Sequence, residues 1–370
     1  MNIILVSTEC FPFTNESDLG DSVFALARAL ERLGCNIKVI MPRYGSIEPS
    51  YFHIERLPNE FKINFNNSII PTSVYKGILP NSFVSVFFIE SQAHFSNSKE
   101  IYLNDLVNQE RFHYFSHAVL NIISILKLDV DLIHLFNSNT LNKIKLLSNL
   151  PVVSNIALLT GIDWEIYNPE KDPAIKQNYT KEYFTIGKRK CKEELLEKIG
   201  LEKNFQLPLI GIIARLEEKS EFKLLTNVLQ ELKNLKLPVI SLIKGEEEYR
   251  KIFAASDFLL NINKTDGSLI QMAMRYGSIP IAYNSSAAKA IISDIENSKD
   301  GNGFIFKEYD AESLIEKVLT ALKYYKNKEM WTKIVKQAMS FNSDSLIFAK
   351  EYKEVYKQLL ETKKLLAIPL

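Results

Sequence analysis

The feature that most constrains this chain is its alternation of short apolar runs with longer amphipathic ones. Ile3–Val6 is a short apolar run followed by a polar stretch to Asp18. From Ser22 to Leu33 apolar residues then recur at three- and four-residue spacing, and Gly34 follows one step beyond, as it does past a helix end. Ile37–Met41 is a second apolar, β-branched run, stopped by Pro42. The pattern is a βαβ unit and implies a parallel sheet with a right-handed crossover. The spacing predicts further strands at Phe83–Ile89 and Asp131–Leu135 and a helix over Arg111–Leu126.

A second series begins near Leu207. Strands are expected at Pro208–Ile213, Val239–Ile243, Phe258–Ile262, Ile279–Ala282 and Phe304–Phe306. Helices are expected at Glu221–Leu235, Glu246–Ala255, Leu269–Tyr276 and Ala311–Tyr325, then a small helix around Trp331 and a long one from Asp344 to Leu366. Such alternation is the doubly wound α/β signature. At 370 residues two domains are expected: residues 1–160, residues 161–345, and a C-terminal helix over 346–370 that packs back on the first.

Composition narrows the function. Lys and Arg total 45 against 44 Asp and Glu, a net charge of +1. That excludes simple electrostatic attraction to nucleic acid or to an anionic membrane, which needs a basic excess. No stretch of 18 apolar residues occurs, and the start lacks a basic region before its apolar run, so neither a membrane span nor a signal peptide is expected. Three scattered cysteines, Cys10, Cys35 and Cys191, make no zinc or disulfide pattern and suit a reducing cytoplasm.

Nucleotide motifs are absent: there is no G-x-G-x-x-G and no P-loop, and Gly301-Asn302-Gly303 is the nearest approach. No cofactor and no metal are expected. His113 and His117 lie at i, i+4 and could place two rings on one ion. Without a third ligand they read as residues at the edge of the core. His134, near the end of a buried strand, reads as a hydrogen-bonded core histidine. Arg215 directly follows a strand, where open α/β sheets bind ligands. It could clamp a diphosphate bidentately, or pair with Glu217, Glu218 or Glu221.

Several segments, in order along the chain, together resemble bacterial glycogen synthase and plant starch synthase, the ADP-glucose-dependent retaining glucosyltransferases of the GT-B fold. Ile4-Leu-Val-Ser-Thr-Glu-Cys-Phe-Pro-Phe13 is similar to the family's S-E-x-x-P-F, with one extra residue. Met41-Pro-Arg-Tyr-Gly-Ser-Ile47 resembles L-P-R-Y-G-S-I, and Arg111-Phe-His-Tyr-Phe-Ser116 resembles R-F-x-x-F-S. Gly161-Ile-Asp-Trp-Glu-Ile-Tyr-Asn-Pro169 looks like G-I-D-x-x-x-W-N-P, and Ala214-Arg-Leu216 like S-R-L. Ala273-Met-Arg-Tyr-Gly-Ser-Ile-Pro280 resembles A-M-R-Y-G-T-I-P, and Asn302-Gly-Phe-Ile-Phe306 resembles T-G-F-x-F. The resemblance implies two Rossmann-like domains facing a cleft, the first truncated, since the ten residues 151–160 stand where the family runs through several more elements.

The departures fall on the catalytic positions. The phosphate-contacting K-x-G-G-L falls on Asn15-Glu16-Ser17-Asp18-Leu19: its lysine becomes Asn15, its glycines go, and Glu16 and Asp18 would repel an anion. The last histidine of H-D-W-H becomes Asn139. The lysine after the arginine falls on Ser220, with Lys219 one residue early. E-P-C-G-L, counted back without gaps from Arg275-Tyr-Gly277, falls on Lys264-Thr-Asp-Gly-Ser268, so the glutamate that contacts the donor glucose becomes Lys264, or Thr265 if one residue is gapped, Asp266 is a misplaced stand-in and Gly267 is kept. T-G-G-L falls on Ser285-Ser286-Ala287-Ala288. No catalytic position is intact. Arg215, Lys219, Asp266, Gly267 and Asn15 remain as candidates for donor or phosphate binding.

The leading expectation is therefore a synthase homologue without ordinary activity, a binding or regulatory partner of a true synthase or of an α-glucan. The alternatives are a divergent active glycosyltransferase with another donor or acceptor, and a decaying gene product. An ADP-sugar or α-glucan ligand, a protein partner and a homo-oligomer are all compatible with it.

Overall fold

The computed structural model describes residues 1–14, 16–58, 60–136, 138–154, 159–200, 204–215, 219–242, 246–264 and 266–366; at 138–142, 219, 246–247 and 363–366 it describes backbone only. The chain divides into two compact units, Met1–Asp163 with Asp344–Leu370, and Trp164–Ser343.

The first unit opens with β1 (Asn2–Val6), α1 (Asp18–Arg32) and β2 (Asn36–Pro42). Helix α1 starts four residues before the apolar pattern does, because the Ser17 side chain caps it by accepting from the Leu19 amide. Gly34, at φ +79°, supplies the left-handed step that ends it. There follow α2 (Pro49–Phe52), β3 (Glu55–Arg56), β4 (Phe61–Phe65), β5 (Ser68–Ile78), β6 (Ser85–Glu90), a π-turn at Gln92–Ser96, α3 (Asp105–Ile125), β7 (Leu132–Leu135), α4 (Ser138–Leu147) and β8 (Val152–Ser154).

Among the described residues the sheet order is β3-β5-β6-β2-β1-β7-β8, with β4 paired to β5. Strands β6, β2, β1, β7 and β8 run parallel, but β5 is antiparallel to β6, β3 and β4. The sheet is thus mixed rather than parallel. The β4–β5 hairpin is closed by Asn66 and Asn67 at φ +48° and +60°, a two-residue turn of the kind asparagine tolerates.

The second unit contains α5 (Phe184–Lys198), β9 (Ile210–Ile213), α6 (Lys219–Asn234), β10 (Val239–Leu242), α7 (Glu246–Ala255), β11 (Phe258–Asn261), α8 (Gly267–Arg275), β12 (Ile279–Tyr283), α9 (Ser286–Ile291), β13 (Phe304–Phe306), α10 (Ala311–Lys326) and α11 (Lys328–Met339). Its sheet, β10-β9-β11-β12-β13, is parallel throughout. The strands read as continuous apolar runs because helices cover both faces. The last helix, α12 (Ser345–Leu366), returns to the first unit and packs on α1. Its Tyr356 hydroxyl lies 2.7 Å from Nδ1 of buried His134 on β7.

Gly187 in α5 lies under the Tyr179 ring, and a Cβ there would come within 2.4 Å of it. Gly187→Ala is expected to cost about 1–3 kcal/mol by overpacking, read as a lower urea midpoint with unchanged m-value.

Candidate functional site

The parallel register sets β9 beside β11, pairing Phe258 with Ile210 and Leu260 with Ile212. The residues that follow these strands therefore meet at the carboxyl edge of the sheet, where doubly wound folds place ligands. Arg215 follows β9. Asn263 and Lys264 follow β11, and Asp266 opens α8. The Arg215 carbonyl accepts from Asn263 Nδ2, and the Asp266 carbonyl accepts from Asn261 Nδ2 at 3.0 Å.

Arg215 Nη1 lies 3.4 Å from Asp266 Oδ2, and both side chains are about 3% exposed. The guanidinium also stands 5.7 Å from the centre of the Tyr249 ring on α7. Asp266 caps α8 as well, its Oδ1 accepting from the Leu269 amide at 3.0 Å. Asp266 is thus an acidic partner of Arg215 that the sequence reading did not name, while Glu217 and Glu218 lie outside the described residues. Gly267 is the first residue of α8 and is buried.

Lys264 is half-buried. Its ammonium stands 4.6 Å above the Tyr309 ring and 3.5 Å from Ser220 Oγ, and the Tyr309 hydroxyl donates to the Ile262 carbonyl at 2.6 Å. At α9 the Ser285 side chain accepts from the Ala288 amide at 3.1 Å. Asn15 and the side chains of Asn139 and Lys219 lie outside the described residues, as do Glu217 and Glu218.

In the first unit, Glu9 is fully buried. Its Oε2 accepts from the backbone amides of Glu16 and Ser17, each at 3.1 Å. Its Oε1 accepts from Ser17 Oγ at 2.6 Å and from the Tyr102 hydroxyl at 2.8 Å. Amides at the start of a helix attract anions, and those opening α1 already face a carboxylate of the chain itself. Burial pushes the Glu9 carboxyl above its ordinary range, opposed by these hydrogen bonds. The sequence signals at Asp266, Ser285 and Ser17 were ordinary N-cap residue types; the role of Glu9, seven residues before its amides, left no local signature.

Other retained segments build the interior. Arg111 is buried, donates to the carbonyls of His94 at 2.6 Å and Ile101 at 3.1 Å, and sits among the rings of Tyr44, Phe95 and Phe112. Tyr44 donates to the Thr8 carbonyl at 2.9 Å. In the second unit the Arg275 guanidinium stacks 4.1 Å from the Trp164 ring and donates to Asn168 Oδ1 at 2.9 Å. Tyr276 donates to Asp172, which also pairs with Arg250 at 3.0 Å. Gly277, at φ +67°, leaves no room for a Cβ, which would approach Val335 to 2.9 Å.

Among the described residues no three or more His, Cys, Asp or Glu are grouped to hold a metal, and no helix is long and apolar enough to cross a membrane.

Comparison with known proteins agrees with this arrangement. The starch synthase catalytic domain family model matches residues 2–136. The glycogen synthase of Thermosipho melanesiensis is 26% identical over 481 aligned positions, covering 97% of this chain and 99% of the relative. That of Clostridium novyi is 26% identical over 486 positions with the same coverage. Both alignments exceed the chain's 370 residues, so the relatives carry segments that this chain lacks. The catalytic domain of starch synthase IV from Arabidopsis thaliana, solved bound to ADP and acarbose, superimposes with a TM-score of 0.82 at 20% identity over 97% of this chain and 99% of that one. With its motifs in family order, its family-model match at the N-terminal unit and its end-to-end likeness to the curated relatives, the chain is similar along its length to glycogen and starch synthases and has their GT-B fold.

Proposed function

We propose that this protein has kept the synthase scaffold but relinquished ordinary glucosyl transfer, and that it acts as a binding or regulatory protein toward an ADP-sugar, an α-glucan or a protein partner. The observation that carries this reading is the buried Arg215–Asp266 ion pair. The cation best placed to hold a diphosphate is engaged by a carboxylate of its own chain, and desolvated besides. The helix starts at α1, α8 and α9 are likewise occupied by Glu9, Asp266 and Ser285. In glycosyl transfer the departing nucleotide must be stabilised by cations and helix-terminal amides where charge develops. Removal of one such donor typically costs about 3–4 kcal/mol of barrier. Here several are engaged internally, and by sequence Lys264, or Thr265 with one residue gapped, falls where the resembled family has a sugar-contacting glutamate.

Purified protein supplied with radiolabelled ADP-glucose or UDP-glucose and a glycogen primer is expected to incorporate no more label than its Arg215→Ala variant. Incorporation well above that control would overturn the reading. Calorimetric titration with ADP and with a maltooligosaccharide then identifies which ligand the retained scaffold binds.

One observation favours a second reading, a divergent active transferase. Lys264 brings its ammonium to 3.5 Å from Ser220 Oγ, the position where the family carries a lysine. A cation is thereby supplied to the same place from a different strand end. Under this reading Lys264→Ala, like Arg215→Ala, abolishes transfer to some acceptor.

A further inference from the structure

We propose that His113 and His117 form a two-histidine site on α3 for one divalent transition-metal ion of the zinc class. The pair lies one helical turn apart, and the two Nε2 atoms are 3.3 Å from each other. Zinc–imidazole bonds are about 2.0–2.1 Å long. Two nitrogens at that separation subtend about 107° at an ion bonded to both, close to the tetrahedral angle that zinc adopts. In the metal-free protein the same approach is a ring-to-ring hydrogen bond, and an ion would take the place of the shared proton, with each ring protonated on Nδ1.

The surroundings hold the rings for this. Phe65, at the end of β4, stands edge-on to both, 5.1 Å from the His113 ring and 5.6 Å from the His117 ring. A fixed apolar wall restricts ring rotation and so reduces the entropy lost on binding. Both imidazoles are half-buried. Burial, with the Lys143 ammonium and for His117 its neighbour His113, lowers their pKa values below 6.5, so lone pairs are available at neutral pH. The protein supplies two ligands, and water completes the shell. The absence of a third side chain, which argued against a metal from sequence, limits affinity without removing the chelate. Lys143, exposed on α4, is the charge that opposes an incoming cation.

The test is calorimetric titration of zinc chloride into the full-length, tag-free chain at pH 7.5. One equivalent is expected to bind. His113→Gln and His117→Gln are each expected to weaken it by about tenfold or more, Lys143→Gln to tighten it, and His53→Gln, which removes an exposed histidine, to leave it unchanged. Zinc should raise the melting temperature of the wild type and of His53→Gln but not of the two site variants, whose metal-free melting curves report that they fold. Absence of saturable binding, or equal affinity in wild type, His113→Gln and His117→Gln, would overturn the site.

Discussion

Replacing Lys188 with methionine is expected to lower the stability of the second unit by about 3–5 kcal/mol, a fall in melting temperature of roughly 10 °C. Lys188 lies within α5 and is buried. Its ammonium donates to the carbonyls of Phe253 at 3.0 Å and Ala254 at 3.1 Å, in the last turn of α7, and to that of Tyr276 at 3.1 Å, the C-cap of α8. Two helix C-termini, each carrying partial negative charge, thus converge on one cation whose three N–H groups find three acceptors. Burial lowers its pKa from 10.5 to about 8, offset in part by Asp257, so the charged form prevails at pH 7. Because the folded value is the lower one, desolvation of the charge opposes folding below about pH 8, and that opposition fades toward pH 10.5. The contribution that remains is the satisfaction of the Phe253 and Ala254 carbonyls, and in part of the Tyr276 carbonyl, which also accepts from the Tyr179 hydroxyl at 2.8 Å. Methionine fills the stem's volume and leaves those carbonyls without the ammonium. Chemical denaturation followed by circular dichroism measures the change, and a loss below 1 kcal/mol would refute the account.

Lys188 also marks the limit of what could be read in advance. In the run Lys188-Arg-Lys-Cys-Lys192 the charges look like a solvated face. Yet Lys188 and Lys192, four residues apart, both turn inward, Lys192 to Asp257 at 2.8 Å and to the Leu207 carbonyl. The alternation of apolar and amphipathic runs was legible, because a period of 3.6 and a buried parallel strand are local properties. Most strands and helices of the second unit consequently lie within a few residues of their expected places. The antiparallel hairpin at β4–β5 was missed although Asn66-Asn67 carried its turn signal. The engagement of Arg215 by Asp266 was not legible at all. It joins residues far apart in sequence, brought together only because β9 and β11 are neighbours.

Acidification from pH 7.5 to pH 5 is expected to remove about 2 kcal/mol of stability through His134 alone, and further acidification to pH 3 to bring that to about 4 kcal/mol. His134 sits at 3% exposure on β7, and burial presses its pKa from 6.5 to about 3. The folded chain keeps the ring neutral, held by the Tyr356 hydroxyl of α12 at 2.7 Å, while the unfolded chain takes up a proton near pH 6.5. Between the two values the unfolded state binds more protons. The stabilisation is therefore complete above 6.5 and declines as pH falls through that window. His94, His113 and His117, lowered by burial, act in the same direction. Glu9, raised by burial, acts in the opposite one: its contribution is present at low pH and lost as pH rises through its folded value. The His134→Gln variant isolates the effect, since glutamine offers Tyr356 a polar partner but does not titrate. Urea unfolding across pH 7.5 to 4 should show a steeper loss in wild type than in the variant. Parallel curves would mean that protonation of His134 does not release the C-terminal helix from the first unit.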